Sequence, residues 1–401
     1  MNHDPPASST AARRYFENAA TSFPKPPGVA EAVGHYLTDI GVSAGRGAYH
    51  EAVESGRMLD ECRQLLRRVF HADARDHVIF ALNGTDALNL AVKSLCKPSA
   101  HVVTTAMDHN SVLRPLHALH DRLGVEITII AADSRTTRID PADVAAAIRP
   151  NTTLVAINHA SNVTGALQPA ADIADICKKR GVPMLLDAAQ SAGHVPIDFS
   201  SLPIDLLATP GHKGLLGPLG TGVLLIRAGF EARMQTVREG GTGSASEFPV
   251  QPDFLPDRFE AGSHNAVGLA GLAASLRWIV QHGVDALRRH EVQLCERMMS
   301  RLIAIPGLTW YGPRDVERRV GVFSVRIDGL EPSELSAILE SRFNILSRSG
   351  LHCAPLAHRT IGTHARGGTT RLSFGPLLKE DDIDYAADAL FEIAGALAAV
   401  S

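Results

Sequence analysis

The chain has 401 residues, 45% hydrophobic and 20% charged, enough to bury a full core and to divide into a large domain and a smaller one. A formal net charge of −4 with scattered basic residues leaves no electrostatic footprint for nucleic acid or an anionic membrane surface. Residues 1–13 read as a flexible tail, polar and Pro/Ala/Ser-rich, without the apolar core of a signal peptide, and no later run reaches the roughly 18 apolar residues of a membrane span.

The expectation is therefore a cytoplasmic protein with no membrane contact. Five cysteines (Cys62, Cys96, Cys177, Cys295, Cys353) are odd in number and far apart, with no C-x-x-C pair, which argues against a disulfide framework or a zinc site. The 18 histidines include no H-E-x-x-H, so no metal is expected.

In chain order, short apolar, β-branched runs alternate with helical patterns: strands over His77–Leu82, His101–Thr105, Glu126–Ala131, Thr153–Ile157, Pro183–Leu186, Leu206–Ala208 and Thr221–Ile226. Between them lie amphipathic stretches at Asp86–Leu95, Pro115–Leu123, Pro141–Ile148 and Ala170–Arg180. That rhythm predicts an α/β fold, a mostly parallel sheet with helices on both faces. A Gly/Ser/Pro-rich stretch from Gly240 to about Pro256 marks a boundary. Helices follow at His264–Gln281 and Gly283–Ala304, then strand-like Gly321–Ile327, a helix Glu331–Arg342, strand-like Thr370–Phe374 and a closing helix Glu380–Ala399. The division drawn is a large domain over 28–255, with 14–27 and 256–401 forming a smaller α+β domain.

Lys213 sits in Thr209-Pro210-Gly211-His212-Lys213-Gly214, after one strand and before a Gly-rich turn. Loops at the carboxyl ends of strands in open α/β sheets are where ligands bind. A partly desolvated amine there can act as a nucleophile on a cofactor aldehyde; the plain alternative is a solvated surface lysine. Asp187 ends the buried strand Leu185-Leu186 and suits a carboxylate paired with a protonated pyridine nitrogen, or a helix N-cap. Asn83-Gly84-Thr85-Asp86 joins a strand to a helix and can offer N–H groups and a hydroxyl to a phosphate. His109 follows a third strand, where an imidazole could stack on a planar ring, and Asn162 follows a fourth.

Together these segments resemble the class V aminotransferase-fold enzymes, within them the cysteine desulfurase and selenocysteine lyase branch. The residues that carry it are Asn18-Ala19-Ala20-Thr21, Gly84-Thr85-Asp86-Ala87-Leu88-Asn89, His109-Asn110-Ser111, Asn162-Val163-Thr164-Gly165, Asp187-Ala188-Ala189-Gln190, Gly211-His212-Lys213, Gly241-Thr242-Gly243-Ser244, Arg348 to Ala354 and Arg371-Leu372-Ser373. The resemblance, over about 15–393, implies fold-type I, a homodimer and pyridoxal 5′-phosphate. It implies that Lys213 is the Schiff-base lysine, His109 stacks on the ring, Asp187 pairs with its nitrogen and Gln190 bonds its oxygen. Gly84, Thr85 and His212 would hold the phosphate, Thr242 would reach it from the other subunit, and Asn162 and Arg371 would hold the substrate carboxylate. One position departs: Pro210 stands where Ser or Thr is common, so one phosphate contact is missing or is supplied by Thr209.

Desulfuration of L-cysteine, or of L-selenocysteine, needs a thiolate that attacks the substrate's sulfur and leaves a persulfide on the enzyme with release of alanine. Cys353 is the candidate, in a loop with His352 and near Arg348, whereas the other four cysteines fit apolar helix faces. Its Arg-Ser-Gly-x-His-Cys-Ala setting resembles the short-loop desulfurases, which implies a sulfur-acceptor protein. Arg348 would steer substrate or order the loop, and His352 is a candidate acid or base. Phe16, Phe23, Tyr49 and Leu351 could line the pocket or serve as core. Two alternatives stay open: a related lyase, epimerase or aminotransferase in which Cys353 is incidental, and a non-catalytic sulfur-carrier scaffold.

Overall fold

The computed structural model describes residues 12–44 and 47–399; most of the expected tail, residues 1–11, lies outside them. The chain opens with a two-residue strand β1 (Arg14–Tyr15) and helix α1 (Val29–His35), which runs on into a π-helical turn, Tyr36–Ile40. Helix α2 (His50–Val69) follows, turning Ala52, Ser55, Leu59, Cys62, Leu65, Leu66 and Val69 inward at helical spacing.

The large sheet then assembles from β2 (His77–Ala81), β3 (His101–Thr105), β4 (Glu126–Ile130), β5 (Thr152–Asn158), β6 (Met184–Asp187), β7 (Leu206–Pro210) and β8 (Gly222–Ile226). Its strand order is β2-β8-β7-β6-β5-β3-β4, with β8 alone running against its neighbours. Strands β6, β7 and β8 are buried along their whole length, and their unbroken apolar runs are what a strand covered on both faces requires. Intervening helices α3 (Gly84–Leu95), α4 (Asn110–Leu123), α5 (Pro141–Ala147) and α6 (Ala170–Arg180) supply the cover. The seven strands stand where the alternation of apolar runs places them.

Helix α4 starts five residues earlier than the sequence suggests. Pro115 reads as a first-turn residue, but His109 caps the helix instead, its Nδ1 accepting from the Ser111 N–H at 3.0 Å. Pro115 thus lies inside the helix.

Helix α7 (Ala266–His282), assigned by the sequence reading to the smaller domain, places Leu269, Leu272, Ala273, Leu276 and Ile279 in the core beneath the large sheet. Helix α8 (Val284–Leu302) leads onward to β9 (Leu308–Trp310), β10 (Val322–Ile327), α9 (Pro332–Phe343), β11 (Ile345–Leu346), β12 (Arg348–Gly350), α10 (Pro355–Thr360), β13 (Thr369–Ser373) and α11 (Glu380–Ala398). An antiparallel sheet β12-β13-β10-β9 packs on α8, α9 and α11 around Phe16, Phe323, Leu372 and Leu390, and β1 pairs with β11. No helix among the described residues is long and apolar enough to cross a membrane.

Candidate active site

Every parallel strand of the large sheet points its carboxyl end at the same rim, so the loops that leave those ends meet. Asn83, Gly84 and Thr85 arrive from β2, His109 and Ser111 from β3, Asn158, Ala160 and Asn162 from β5, Asp187, Ala189 and Gln190 from β6, and Pro210, His212 and Lys213 from β7. They surround one cavity of about 570 Å³.

Asp187 is 5% exposed, and one carboxylate oxygen accepts from the Ala189 N–H at 2.9 Å. Burial drives its carboxyl above the usual range, opposed by that bond and by the Lys213 charge. Burial likewise lowers the Lys213 ammonium to about 8, although Asp187 pulls the other way and Arg371 and Arg348 add to the lowering. His109 falls to about 4 through burial and then the Lys213 charge, and His212 falls to about 4 for the same two reasons, so both rings are neutral near pH 7. Asp108, wholly buried beside them, accepts at one oxygen from Thr104 Oγ1, Thr105 Oγ1 and the Thr105 N–H, while burial lifts it to about 7.

The segment before α1 closes the site from one side. The His212 carbonyl accepts from the Ser22 N–H at 3.0 Å, from the Thr21 hydroxyl at 3.2 Å and from Lys25 Nζ at 3.2 Å. The Gln190 side-chain amide donates to the Ala19 carbonyl at 2.9 Å.

Arg371 enters from the smaller sheet. It is 1% exposed, one terminal nitrogen donates to the Asn162 carbonyl at 3.1 Å, and its Nε and other terminal nitrogen have no partner among the described residues. The Asn162 amide donates in turn to the His352 carbonyl at 2.7 Å. Beyond it, Cys353 is the exposed member of the five cysteines, and its carbonyl accepts from the Asn110 N–H at 2.8 Å. Burial pushes the thiols of Cys62, Cys96 and Cys177 up to about 12, and that of Cys295 up as well. A negative charge on Cys353 would act on both Lys213 and Arg371. His352 is buried, with Nε2 3.2 Å from the Thr369 hydroxyl, and burial followed by the Arg371 charge holds it well below the ordinary histidine range.

Thr242 lies apart from this cavity, its hydroxyl 3.0 Å from that of Ser244. Thr209 turns away too, its hydroxyl reaching the Ala188 carbonyl at 3.5 Å. None of the four apolar candidates lines the cavity, and Phe16 is fully buried in the smaller core. The sequence reading gave no role to Ser111, whose hydroxyl is 2.8 Å from that of Thr85 and 2.9 Å from His109 Nδ1. The sequence hides this position because Pro115 reads as the start of the helix, which places Ser111 in the loop before it.

These residues fit pyridoxal 5′-phosphate. A buried acid faces a desolvated lysine, His212 Nδ1 has no partner among the described residues, and Gly84 lies so close to Pro210 that an added Cβ would come within 2.9 Å of it, leaving bare helix backbone toward the cavity.

The description of the aminotransferase class-V family matches residues 14–386. A probable cysteine desulfurase of Methanothermobacter thermautotrophicus is 32% identical over 383 residues, 95% of this chain and 94% of that one. A cysteine desulfurase of Yersinia pseudotuberculosis is 30% identical over 85% of this chain and 84% of its own. Among solved structures, the apo form of a cysteine desulfurase from Thermococcus onnurineus superposes with a TM-score of 0.87 at 31% identity, covering 96% and 95% of the two chains. An Escherichia coli cysteine desulfurase at 24% identity shares the fold with a TM-score of 0.82, covering 96% and 94%.

Proposed function

The chain belongs to the class-V aminotransferase family, and we propose that it is a pyridoxal-phosphate-dependent L-cysteine desulfurase that collects sulfur on Cys353. The observation that carries this is the exposure of Cys353 on a loop fastened to Asn162 and Asn110, next to a lysine–aspartate site, while the other four thiols are buried.

When bound, the cofactor draws electrons from the substrate's Cα and so loosens its Cβ–S bond. Lys213 would hold the cofactor covalently, and as an amine brought down to about 8 it can carry protons to and from the substrate carbon. Asp187 keeps the pyridine nitrogen protonated. His109, neutral, would stack on the ring. Gly84, Thr85 and His212 would hold the phosphate and Gln190 would bond the ring oxygen, while Arg371 and Asn162 would fix the substrate carboxylate with Arg348 adding positive charge. The Cys353 thiolate attacks the substrate sulfur: the S–S bond forms, the Cβ–S bond breaks, and the carbon keeps the electron pair and takes a proton, yielding alanine. His352, buried and neutral, reads as a loop anchor more than as an acid.

The same reading includes L-selenocysteine as a second substrate, a homodimer in which Thr242 completes the partner's site, and a sulfur-acceptor protein that meets Cys353. It also places the protein in the cytoplasm, where an exposed thiol among five free cysteines stays reduced. The experiment is to incubate the pure protein with L-cysteine or L-selenocysteine and measure alanine and protein-bound sulfur in wild type and Cys353→Ala. Full sulfide and persulfide production by Cys353→Ala would remove the mechanism and favour a related lyase.

A further inference from the structure

The cradle for the cofactor's phosphate lacks one hydroxyl and holds another in its place. Pro210 closes β7 with neither a hydroxyl nor an N–H to give, and it packs against Gly84 too tightly for any side chain to intervene. Thr209 does not substitute, because it is 1% exposed, does not line the cavity, and its hydroxyl lies 3.4 Å from the Pro210 carbonyl and 3.5 Å from that of Ala188. Ser111 does reach the cavity, together with Thr85, Pro210 and His212.

Two helices begin here. Thr85 is the second residue of α3 and Ser111 the second of α4, and their hydroxyl oxygens are 2.8 Å apart. Both helix ends favour an anion. The Ser111 N–H already donates to His109 Nδ1 at 3.0 Å, so that ring nitrogen's lone pair is engaged by the backbone. The Thr85–Ser111 pair spends one hydroxyl proton on itself; the second has two acceptors in reach, His109 Nδ1, 2.9 Å from the Ser111 oxygen but already engaged by the Ser111 N–H, and an anion in the cavity.

We propose that Ser111 supplies the phosphate-holding hydroxyl that Pro210 lacks, as a cofactor-binding residue paired with Thr85. The proposal rests on the pyridoxal-phosphate reading above.

The test uses the full chain stripped of cofactor and titrated with pyridoxal 5′-phosphate and, separately, with pyridoxal, which has no phosphate. Ser111→Ala should raise the dissociation constant for the phosphorylated form about tenfold, the size of one charge-assisted bond, and change that for pyridoxal by less than about twofold. Adding Pro210→Ser to Ser111→Ala should recover most of the loss. An equal loss for both compounds, or none for either, overturns the proposal and leaves Ser111 as a helix-cap residue. Should Ser111→Ala not fold, Pro210→Ser in the native background decides: a change of less than about threefold is expected, and a tenfold gain or more overturns it, since the slot would then have been unserved. Wild-type protein that captures neither compound would defeat the cofactor reading itself, a different result.

Discussion

Arg348 and Arg371 stand directly opposite each other in the antiparallel register of β12 and β13, so two cations share one face of the smaller sheet beside the cavity. Like charges so placed repel, and burial, with Arg348 adding to it, lowers the Arg371 guanidinium to about 10. A carboxylate between them would relieve the repulsion and meet the two Arg371 nitrogens that have no partner among the described residues.

Arg371→Lys keeps the charge but loses the two-pronged geometry. The expected result is a KM for L-cysteine raised about tenfold to a hundredfold, matching one charge-assisted hydrogen bond of about 1.5–3 kcal/mol, with kcat within about threefold. Steady-state alanine release measures both constants, and an unchanged KM would refute the assignment.

Native protein should react quickly with about one equivalent of a maleimide, because four of its five thiols are buried. Cys353→Ser should show no fast-reacting thiol and should lose at least about a hundredfold in alanine release, with its cofactor absorbance intact. Alkylated protein that still releases alanine from cysteine at the full rate would eliminate Cys353 as the nucleophile.

Lys213 must shed its proton before it can bond an aldehyde. Cofactor capture by the apo protein should therefore rise with pH around a midpoint of about 8. In Asp187→Asn the ammonium loses the charge that favours it, so the midpoint moves to lower pH. Stopped-flow absorbance across a pH series follows the shift; an upward move would contradict the pairing.

Gly222 begins β8 with its Cα against the turn that opens α3, where an added Cβ would come within 2.3 Å of the Asn83 carbonyl. Gly222→Ala must displace Asn83 and with it Gly84 and Thr85. A loss of about 1–3 kcal/mol in denaturant unfolding is expected, together with weaker binding of pyridoxal 5′-phosphate than of the wild type. Wild-type stability and affinity would show the turn to be compliant.

What the sequence discloses follows from where its signals are local. Leu185-Leu186-Asp187 and Leu206-Leu207-Ala208 announce central strands because burial on both faces leaves no room for polar alternation. Lys213, Asp187, His109 and Asn162 could be grouped because each follows such a strand. Helix α2 is hard to see in the sequence although its inward face is regular: several of its buried residues are small, and charged side chains crowd the rest. Tertiary placement was the other obstacle. Nothing in the local sequence says that the Thr209 hydroxyl points to Ala188, that Ser111 meets Thr85, or that the β12–β13 register sets Arg348 against Arg371.

His352 and Cys353 both adopt positive φ, 48° and 57°, and their consecutive carbonyls are fastened to Asn162 and Asn110. A peptide bent so sharply and pinned at two successive links is a short leash. The sulfur atom can rotate about its own side-chain bonds, but carrying it across the surface would require breaking both backbone hydrogen bonds. Under the proposed mechanism, delivery would then be a matter of approach: an acceptor of sulfur from this loop would have to bring its own nucleophile to a fixed address, and the shape of the ground around Cys353 would decide which visitors can stand close enough.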